Sequence, residues 1–282
     1  MNPPEINTSK ESQKIIDFIK QTFKENNKST AVVALSGGID SATSLILASK
    51  ALGSENIFPL HLPSKTTNPK STKDVLELLE SASINKEKLT TIHIGSIIQK
   101  TWRAIKNYSG SETHFPKETK DKKKKNQDIA RLNRIRLANF AARTRMMMIY
   151  DHAKRTNSLV VGTENYSEHL LGYYTRFGDE ASDLEPIKHL YKTQIGSLAK
   201  HLGIPKSILE KAPSADLWSG QTDEKELGFS YEQADPILYL NDQGKSKHEI
   251  IERGFEKDIV KKVLKQVQKN SFKHKVPYKI EN

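Results

Sequence analysis

The stretch that most constrains this fold is Ala31-Val32-Val33-Ala34-Leu35-Ser36-Gly37-Gly38-Ile39-Asp40-Ser41. Residues 32–35 are a short apolar run, rich in β-branched side chains and ended by a glycine pair, which is the pattern of a buried strand. Residues 42–52 place Leu45, Ile46, Ala48, Ser49 and Leu52 at helical spacing. A strand, a tight polar turn and a helix aim backbone N–H groups and a positive helix end at one point, which favours an anion. Gly37 and Gly38 lack a Cβ, so phosphate oxygens can come close to the backbone. Ser36 and Ser41 add hydroxyl donors. Asp40 is the odd member, because a carboxylate repels a phosphate unless a cation lies between them. The loop therefore predicts Mg²⁺ bridging Asp40 and a polyphosphate.

The chain's 282 residues allow an ample core. No apolar run approaches the ~20 residues of a membrane span. Residues 1–10 are polar and no leader pattern follows, so the expected location is the cytoplasm. The absence of cysteine removes disulfides, thiolate metal sites and cysteine nucleophiles together. The net charge of +11 would suit nucleic acid, but much of it is concentrated in residues 117–125 and 257–279. Lysine runs of that kind are solvated segments, and a basic chain also suits small polyanions, so nucleic acid is not the expected partner.

Strand patterns at 32–35, 57–62, 89–94 and 159–162 alternate with helical ones at 11–25, 42–52, 71–82 and 96–106. The expected fold is α/β, a doubly wound parallel sheet with flanking helices, with ligands beyond the carboxyl ends of the strands. Ser71 and Asp74 have the spacing of a capping box. Residues 107–127 hold Gly110, Pro116 and four consecutive lysines and read as a surface insertion. Residues 128–154 form the longest helix, apolar over most of its circumference and so expected to be covered on two sides. Further helices follow at 192–202, 205–211 and within 231–269. One domain spanning 1–282 is expected, with a tail near 271–282.

Later blocks carry the chemistry. Gly162-Thr163-Glu164-Asn165-Tyr166-Ser167-Glu168 follows a strand and supplies Glu168, a second acid for the metal site. Gly172-Tyr173-Tyr174-Thr175-Arg176-Phe177-Gly178-Asp179-Glu180-Ala181-Ser182-Asp183 mixes aromatics, a cation and acids without periodicity, as ordered binding loops do. Lys192 follows in Leu190-Tyr191-Lys192-Thr193-Gln194. Then come Lys211-Ala212-Pro213-Ser214-Ala215-Asp216-Leu217-Trp218 and Gly220-Gln221-Thr222-Asp223-Glu224-Lys225-Glu226-Leu227-Gly228.

The loop SGGIDS resembles the pyrophosphate-binding loop of the ATP pyrophosphatase superfamily. In order, SGGIDS, AARTRM, GTENYSE, GYYTRFGDEASD, LYKTQ, KAPSADLW, GQTDEKELG and a late HK resemble ammonia-dependent NAD synthetases, from about residue 10 to residue 277. The resemblance implies a Rossmann-like three-layer fold of the adenine nucleotide alpha hydrolase type. It implies ATP-dependent amidation of deamido-NAD by ammonia, through an acyl-adenylate, giving NAD, AMP and pyrophosphate. By similarity, Ala34, Leu35, Ser36, Gly37, Gly38, Ile39, Asp40, Ser41, Thr163, Lys192 and Ser214 contact ATP. Asp40 and Glu168 hold Mg²⁺. Arg143, Arg176, Asp183, His274 and Lys275 contact deamido-NAD, and Asp179 stands near the incoming ammonia, as a catalytic residue together with Lys192. Family members are homodimers joined through their long helices, which agrees with the two apolar sides of 128–154.

Two departures stand out. The family has Lys where Arg176 stands, and Gly-Asp-Gly-Gly where this chain has Gly178-Asp179-Glu180-Ala181. A glycine needed for positive φ or for a close ligand approach would make Glu180 strain or crowd the loop. Glutamine-using relatives carry an extra amidohydrolase domain with a catalytic cysteine, and this sequence has no cysteine, so the expected nitrogen source is free ammonia, or ammonia received from a separate protein, and not glutamine. Two alternatives share the loop. One is a tRNA-modifying ATP pyrophosphatase, favoured by the +11 charge. The other is a nucleotide-binding homologue that has lost catalysis through Glu180. Deamido-NAD and the shorter nicotinate mononucleotide both remain open as substrates.

Overall fold

The computed structural model describes residues 2–64, 66–106, 122–214, 222–275, 277–278 and 280, with backbone alone at 106 and 122–126. Four strands, β1 (Ala31–Ala34), β2 (Ile57–His61), β3 (Thr90–Thr91) and β4 (Leu159–Val161), form a parallel sheet in the order β3-β2-β1-β4. The helices are α1 (Thr8–Glu25), α2 (Ile39–Leu52), α3 (Pro69–Ser81), α4 (Gly95–Lys106), α5 (Lys122–Thr156), α6 (Tyr166–Leu171), α7 (Lys192–His201), α8 (Lys206–Leu209), α9 (Asp223–Leu227), α10 (Tyr231–Asp242), α11 (Lys247–Glu252) and α12 (Lys257–Asn270). A final 3-10 turn covers Ser271–His274. No described helix is long and apolar enough to cross a membrane.

The period of two in a strand divides β1 between two cores. Ala31 and Val33 join α1, α2 and α7 on one face, while Val32 joins Leu60, Val160 and the α4 and α5 side chains on the other. The result is a three-layer α/β arrangement, as expected. A separate apolar cluster, including Leu171, Leu238, Val260 and Val263, packs α6 against α10, α11 and α12.

The order of the sheet decides where the site lies. The chain runs outward from β1 through β2 to β3, then returns to place β4 on the other side of β1. Loops leaving β1 and β4 in opposite directions open a crevice at their carboxyl ends, the switch point where ligands of doubly wound sheets bind. The loop at 35–38 and the block beginning at Gly162 both leave from there.

Several boundaries differ from the sequence expectation. The first helix begins at Thr8, where the Asn7 side chain accepts from Lys10 N. The helix α2 begins at Ile39, so Asp40 and Ser41 stand in its first turn. The Ser71–Asp74 capping box does not form. Asn68 caps α3, with Pro69 in the first turn where its missing N–H costs nothing. Ser71 and Asp74 are buried and used elsewhere. The third strand pairs only at Thr90 and Thr91, although Ile92 N and Ile94 N still bond His61 O and Pro63 O. Of the expected insertion, 107–121 lies outside the described residues. From Lys122 onward the backbone is helical, because lysine is a good helix former and α5 extends upstream of 128.

Candidate active site

In the phosphate loop, Gly38 is the N-cap of α2 and no side chain caps that helix. Its first-turn N–H groups are therefore turned to the crevice without a side-chain acceptor, the arrangement that attracts an anion. The loop's hydroxyls hold its shape. Ser36 Oγ and Ser41 Oγ lie 3.2 Å apart, Gly38 N donates to Ser36 Oγ, and Ser41 Oγ donates to Gly38 O at 3.0 Å. Gly37 has φ of +75°, and a Cβ there would stand 2.9 Å from the Ser71 carbonyl oxygen. Only glycine satisfies both conditions.

Beside this loop the structure brings together the two expected metal acids and the expected lysine. Lys192 Nζ lies 2.6 Å from Asp40 Oδ2 and 3.0 Å from Glu168 Oε1. The support around them is specific. Asn165 donates from Nδ2 to Asp40 Oδ1 at 3.0 Å, and its Oδ1 accepts from Glu168 N, capping α6. Ser167 Oγ donates to Asp235 Oδ1 at 2.6 Å and accepts from Lys192 N. Asp235 Oδ2 in turn accepts from Thr193 N. Through Ser167 and Asp235, α6, α7 and α10 fix the base of Lys192.

The electrostatics follow from one cation facing two acids in a buried place. The Lys192 side chain is 9 % exposed. Burial opposes its charge, but Asp40 and Glu168 outweigh that and hold its pKa above the ordinary lysine value. A single ammonium neutralises a single carboxylate. Glu168 is the surplus acid: burial pushes it up to about 8, Asp40 adds to the rise, and Lys192 opposes it. Two carboxylates at the edge of a phosphate loop, served by one ammonium, are a donor set that fits a hard divalent cation, whose charge would offset the cost of ionising Glu168. Among the described residues, no group of three or more His, Asp or Glu forms a protein-only metal cage.

Four further supporting residues, Asp223, Tyr173, Tyr231 and Lys211, were not assigned roles by sequence reasoning. Asp223, at the start of α9, is buried next to this cluster, and both its oxygens accept tyrosine hydroxyls, from Tyr173 and from Tyr231, each at 3.2 Å. Burial raises its pKa. The Tyr231 ring lies 5.3 Å from Lys192 Nζ. Lys211 reaches back to the phosphate loop, donating to Gly37 O at 3.1 Å. The signal for Asp223 was the Thr222 N-cap, which accepts from Lys225 N. For Lys211 and the tyrosines, no local pattern points to these contacts. Thr163 follows β4 at the crevice, and Ser214 follows Pro213, whose carbonyl accepts from Asp223 N. Residues 215–221, with the Ala215-Asp216-Leu217-Trp218 motif, lie outside the described residues.

The residues expected to hold the second substrate are arranged more loosely. Arg143 is exposed on α5 and donates from Nε to Arg176 O at 3.2 Å. The Arg176 guanidinium lies 5.0 Å from the Phe272 ring. Lys273 Nζ donates to Gly172 O and Tyr174 O, and His274 Nε2 bonds His169 O at 2.7 Å. Lys275 is exposed. Asp179 stands on the surface of a turn and accepts from Thr175 N at 3.0 Å. Asp183 accepts from Val160 N at 2.7 Å, which commits one carboxylate oxygen to the edge of β4.

The family model described as NAD synthase matches residues 11–277. The chain belongs to the NAD synthase family. It is 37 % identical over 278 residues to an NH(3)-dependent NAD(+) synthetase of Fusobacterium nucleatum, covering 98 % of this chain and 97 % of that one. It is 40 % identical over 264 residues to the one of Wolinella succinogenes, covering 93 % and 92 %. Among solved structures, an NMN synthetase from Francisella tularensis superposes with a TM-score of 0.78 at 29 % identity, covering 99 % of this chain and all of that one. An NH3-dependent NAD synthetase from Campylobacter jejuni superposes with a TM-score of 0.73 at 31 % identity, covering 98 % and 100 %. Membership in this family makes the chain a ligase with ATP as co-substrate.

At Glu180, where the resemblance implies a glycine, the backbone is unstrained. Neither Glu180 nor Ala181 has positive φ, so no glycine is demanded there. The strained position is Phe177, with φ of 58°. Glu180 supports it, because its Oε1 accepts from Phe177 N at 3.1 Å. The strain anticipated from the sequence is absent, and the substituted side chain has become part of the turn.

Proposed function

We propose that the protein amidates deamido-NAD with ammonia at the expense of ATP, forming NAD, AMP and pyrophosphate as the last step of NAD formation. The observation that carries this reading is the convergence of Asp40, Glu168 and Lys192 at the uncapped start of α2. The nicotinate carboxylate attacks the α-phosphorus of ATP, the bond to the β-phosphate oxygen breaks, and pyrophosphate leaves. Ammonia then adds to the acyl carbon, loses a proton, and expels AMP. Charge grows on the departing pyrophosphate, where the α2 first-turn N–H groups and Lys192 stabilise it without having to reorganise. Asp40 and Glu168 would hold Mg²⁺, which when bound neutralises phosphate charge. In this reading Thr163 and Ser214 flank the nucleotide. Arg143 and Arg176 orient the acidic dinucleotide, with Asp183, His274 and Lys275 around it, which is mainly a positioning effect. Asp179 gathers ammonium and takes its proton.

We also infer a homodimer through α5, a single domain over the whole chain, and action in the cytoplasm. Ile135 and Met147 on α5 are 39 % and 49 % exposed, large apolar side chains left on the helix that carries Arg143. A second substrate reading has a specific observation behind it: the NMN synthetase from Francisella tularensis is a close structural neighbour. The shorter nicotinate mononucleotide would be amidated by the same chemistry. The test measures pyrophosphate release with ATP, Mg²⁺ and ammonium, comparing the two nicotinate substrates. Turnover with deamido-NAD at least tenfold above the mononucleotide is expected. The reverse ratio would move the reading to the mononucleotide, and no release with either would end it. Glutamine in place of ammonium is expected to give no turnover.

A further inference from the structure

We propose that Lys211 is the positioning residue that locks the phosphate loop in its binding geometry, and that it does so without touching the nucleotide. An ammonium has three N–H donors, and here three acceptors take them: Gly37 O at 3.1 Å, Ser71 Oγ at 2.9 Å and Asp74 Oδ2 at 3.2 Å. Asp74 is nearly buried and also supplies the compensating charge. No donor is left over for a phosphate.

The consequence for the loop comes from peptide planarity. Fixing the Gly37 carbonyl fixes the plane of the Gly37–Gly38 peptide, and so the direction of the Gly38 N–H. A second tie runs in parallel. Burial keeps His61 below the ordinary histidine value, so its ring is neutral near pH 7. Its Nδ1 lies 2.8 Å from Leu35 O and its Nε2 lies 3.1 Å from Thr72 Oγ1. With Nδ1 donating to the carbonyl, Nε2 accepts the threonine hydroxyl. The Leu35 and Gly37 carbonyls are thus both tied to the first turn of α3, through His61 and through Lys211. The loop also passes near that turn, since a Cβ added at Gly37 would stand 2.9 Å from Ser71 O. Lys211 also stands three residues before Ser214, so the same tie anchors the start of the 211–214 segment to the phosphate loop.

This inference rests on the ATP-using reading of the site, but its test does not need the nicotinate substrate. Affinity for α,β-methylene ATP with Mg²⁺ is measured by calorimetry on the full chain, alongside steady-state kinetics. Lys211→Met is expected to weaken the analogue and inhibitory pyrophosphate at least tenfold, with KM for ammonium and the nicotinate substrate changed less than twofold. Lys211→Arg should recover part of the loss. Asp74→Asn should weaken the analogue two- to fivefold alone, and add little in the Lys211→Met background. Wild-type analogue affinity in folded Lys211→Met overturns the proposal. So does tighter binding in Asp74→Asn, because a lysine that contacts phosphate would be freed by that change. If Lys211→Met does not fold, Ser71→Ala and Asp74→Asn carry the test, and unchanged analogue affinity in both overturns it. Loss of analogue affinity in a chain with no amidation activity would leave this proposal standing and sink the substrate reading alone.

Discussion

The two halves of the crevice are built differently. On the side proposed for ATP almost every polar group is tied to protein: Lys192 between two acids, Asn165 bridging Asp40 to α6, Asp223 under two tyrosines, Lys211 saturated. On the side proposed for the nicotinate substrate, Arg143 and Lys275 are exposed, and Arg143, His274 and the neighbouring Lys273 rest on backbone carbonyls. The first half is preorganised by a single chain and can stabilise charge at once. The second offers side chains whose present partners are weak competitors for an acidic ligand, so its order has to come from the ligand or from a second copy. Substitutions should therefore damage chemistry and stability together on the ATP side, and mainly substrate affinity on the other.

The largest effect is expected at Lys192. Lys192→Met leaves Asp40 and Glu168 facing each other in a buried place with no cation. Breaking such a pair costs ~3–5 kcal/mol, and loss of a charge-stabilising donor costs ~10²–10³ in kcat. Thermal melting and turnover should both fall, and added Mg²⁺ should restore part of the melting temperature and little of the rate. A variant with wild-type stability would show that the two acids are not held together as described.

Arg143→Ala tests the other half. It should raise KM for the dinucleotide by roughly 10–100-fold, equivalent to about 1.4–2.8 kcal/mol, with KM for ATP and the melting temperature unchanged. An equal loss for ATP would break the contrast between the halves. If the dinucleotide lies between subunits, mixing Arg143→Ala with Lys192→Met chains should recover activity, since each mixed dimer then holds one intact site.

How much of this was legible in the sequence depends on whether the signal was local. The loop at 36–41 was readable because strand, glycines and helix are adjacent in the chain, and Glu168 and Lys192 were readable through resemblance. What brings them together is the strand order, since β4 lies 125 residues downstream of β1 and pairs beside it. No periodicity in the strands reports such a neighbour. Ser71 and Asp74 show how a local rule fails: their capping-box spacing is real, but Asn68 and Pro69 start the helix earlier, and tertiary contact with Lys211 uses both side chains. Asp223 and the two tyrosines that hold it are 8 to 50 residues apart and converge only in the fold.

A smaller effect separates charge placement from catalysis. Glu185 sits under Gly162, accepts from Ser182 Oγ and Glu164 N, and is pushed up to about 8, chiefly by burial. Its folded-state pKa is above the ordinary 4.5. Between those values the folded chain binds the extra proton, so stability falls as pH rises from about 4.5 to 8. Glu185→Gln keeps an acceptor and removes the titration. Denaturant unfolding at several pH values should show the wild type losing stability steadily across that window and the variant losing measurably less. An identical pH profile would refute the assignment.

The smallest effect is expected at Glu180, where the resemblance to the family implies a glycine. Glu180→Gly would restore the family's glycine, and if that glycine were required the change should raise kcat sharply. The geometry argues otherwise. Glu180 has ordinary φ, and its carboxylate accepts the N–H of Phe177, the one non-glycine residue of this turn held at positive φ. Removing that acceptor exposes a strained position, and glycine adds unfolded-state entropy, together ~0.5–1.5 kcal/mol of destabilisation. The turn lies on the loosely held half of the crevice, so kcat should stay within about twofold, below 0.5 kcal/mol in the barrier, while KM for the dinucleotide rises slightly. A tenfold gain in kcat would mean that Glu180 crowds the ammonia side of the site. It would also mean that the nicotinate half is as finely preorganised as the ATP half.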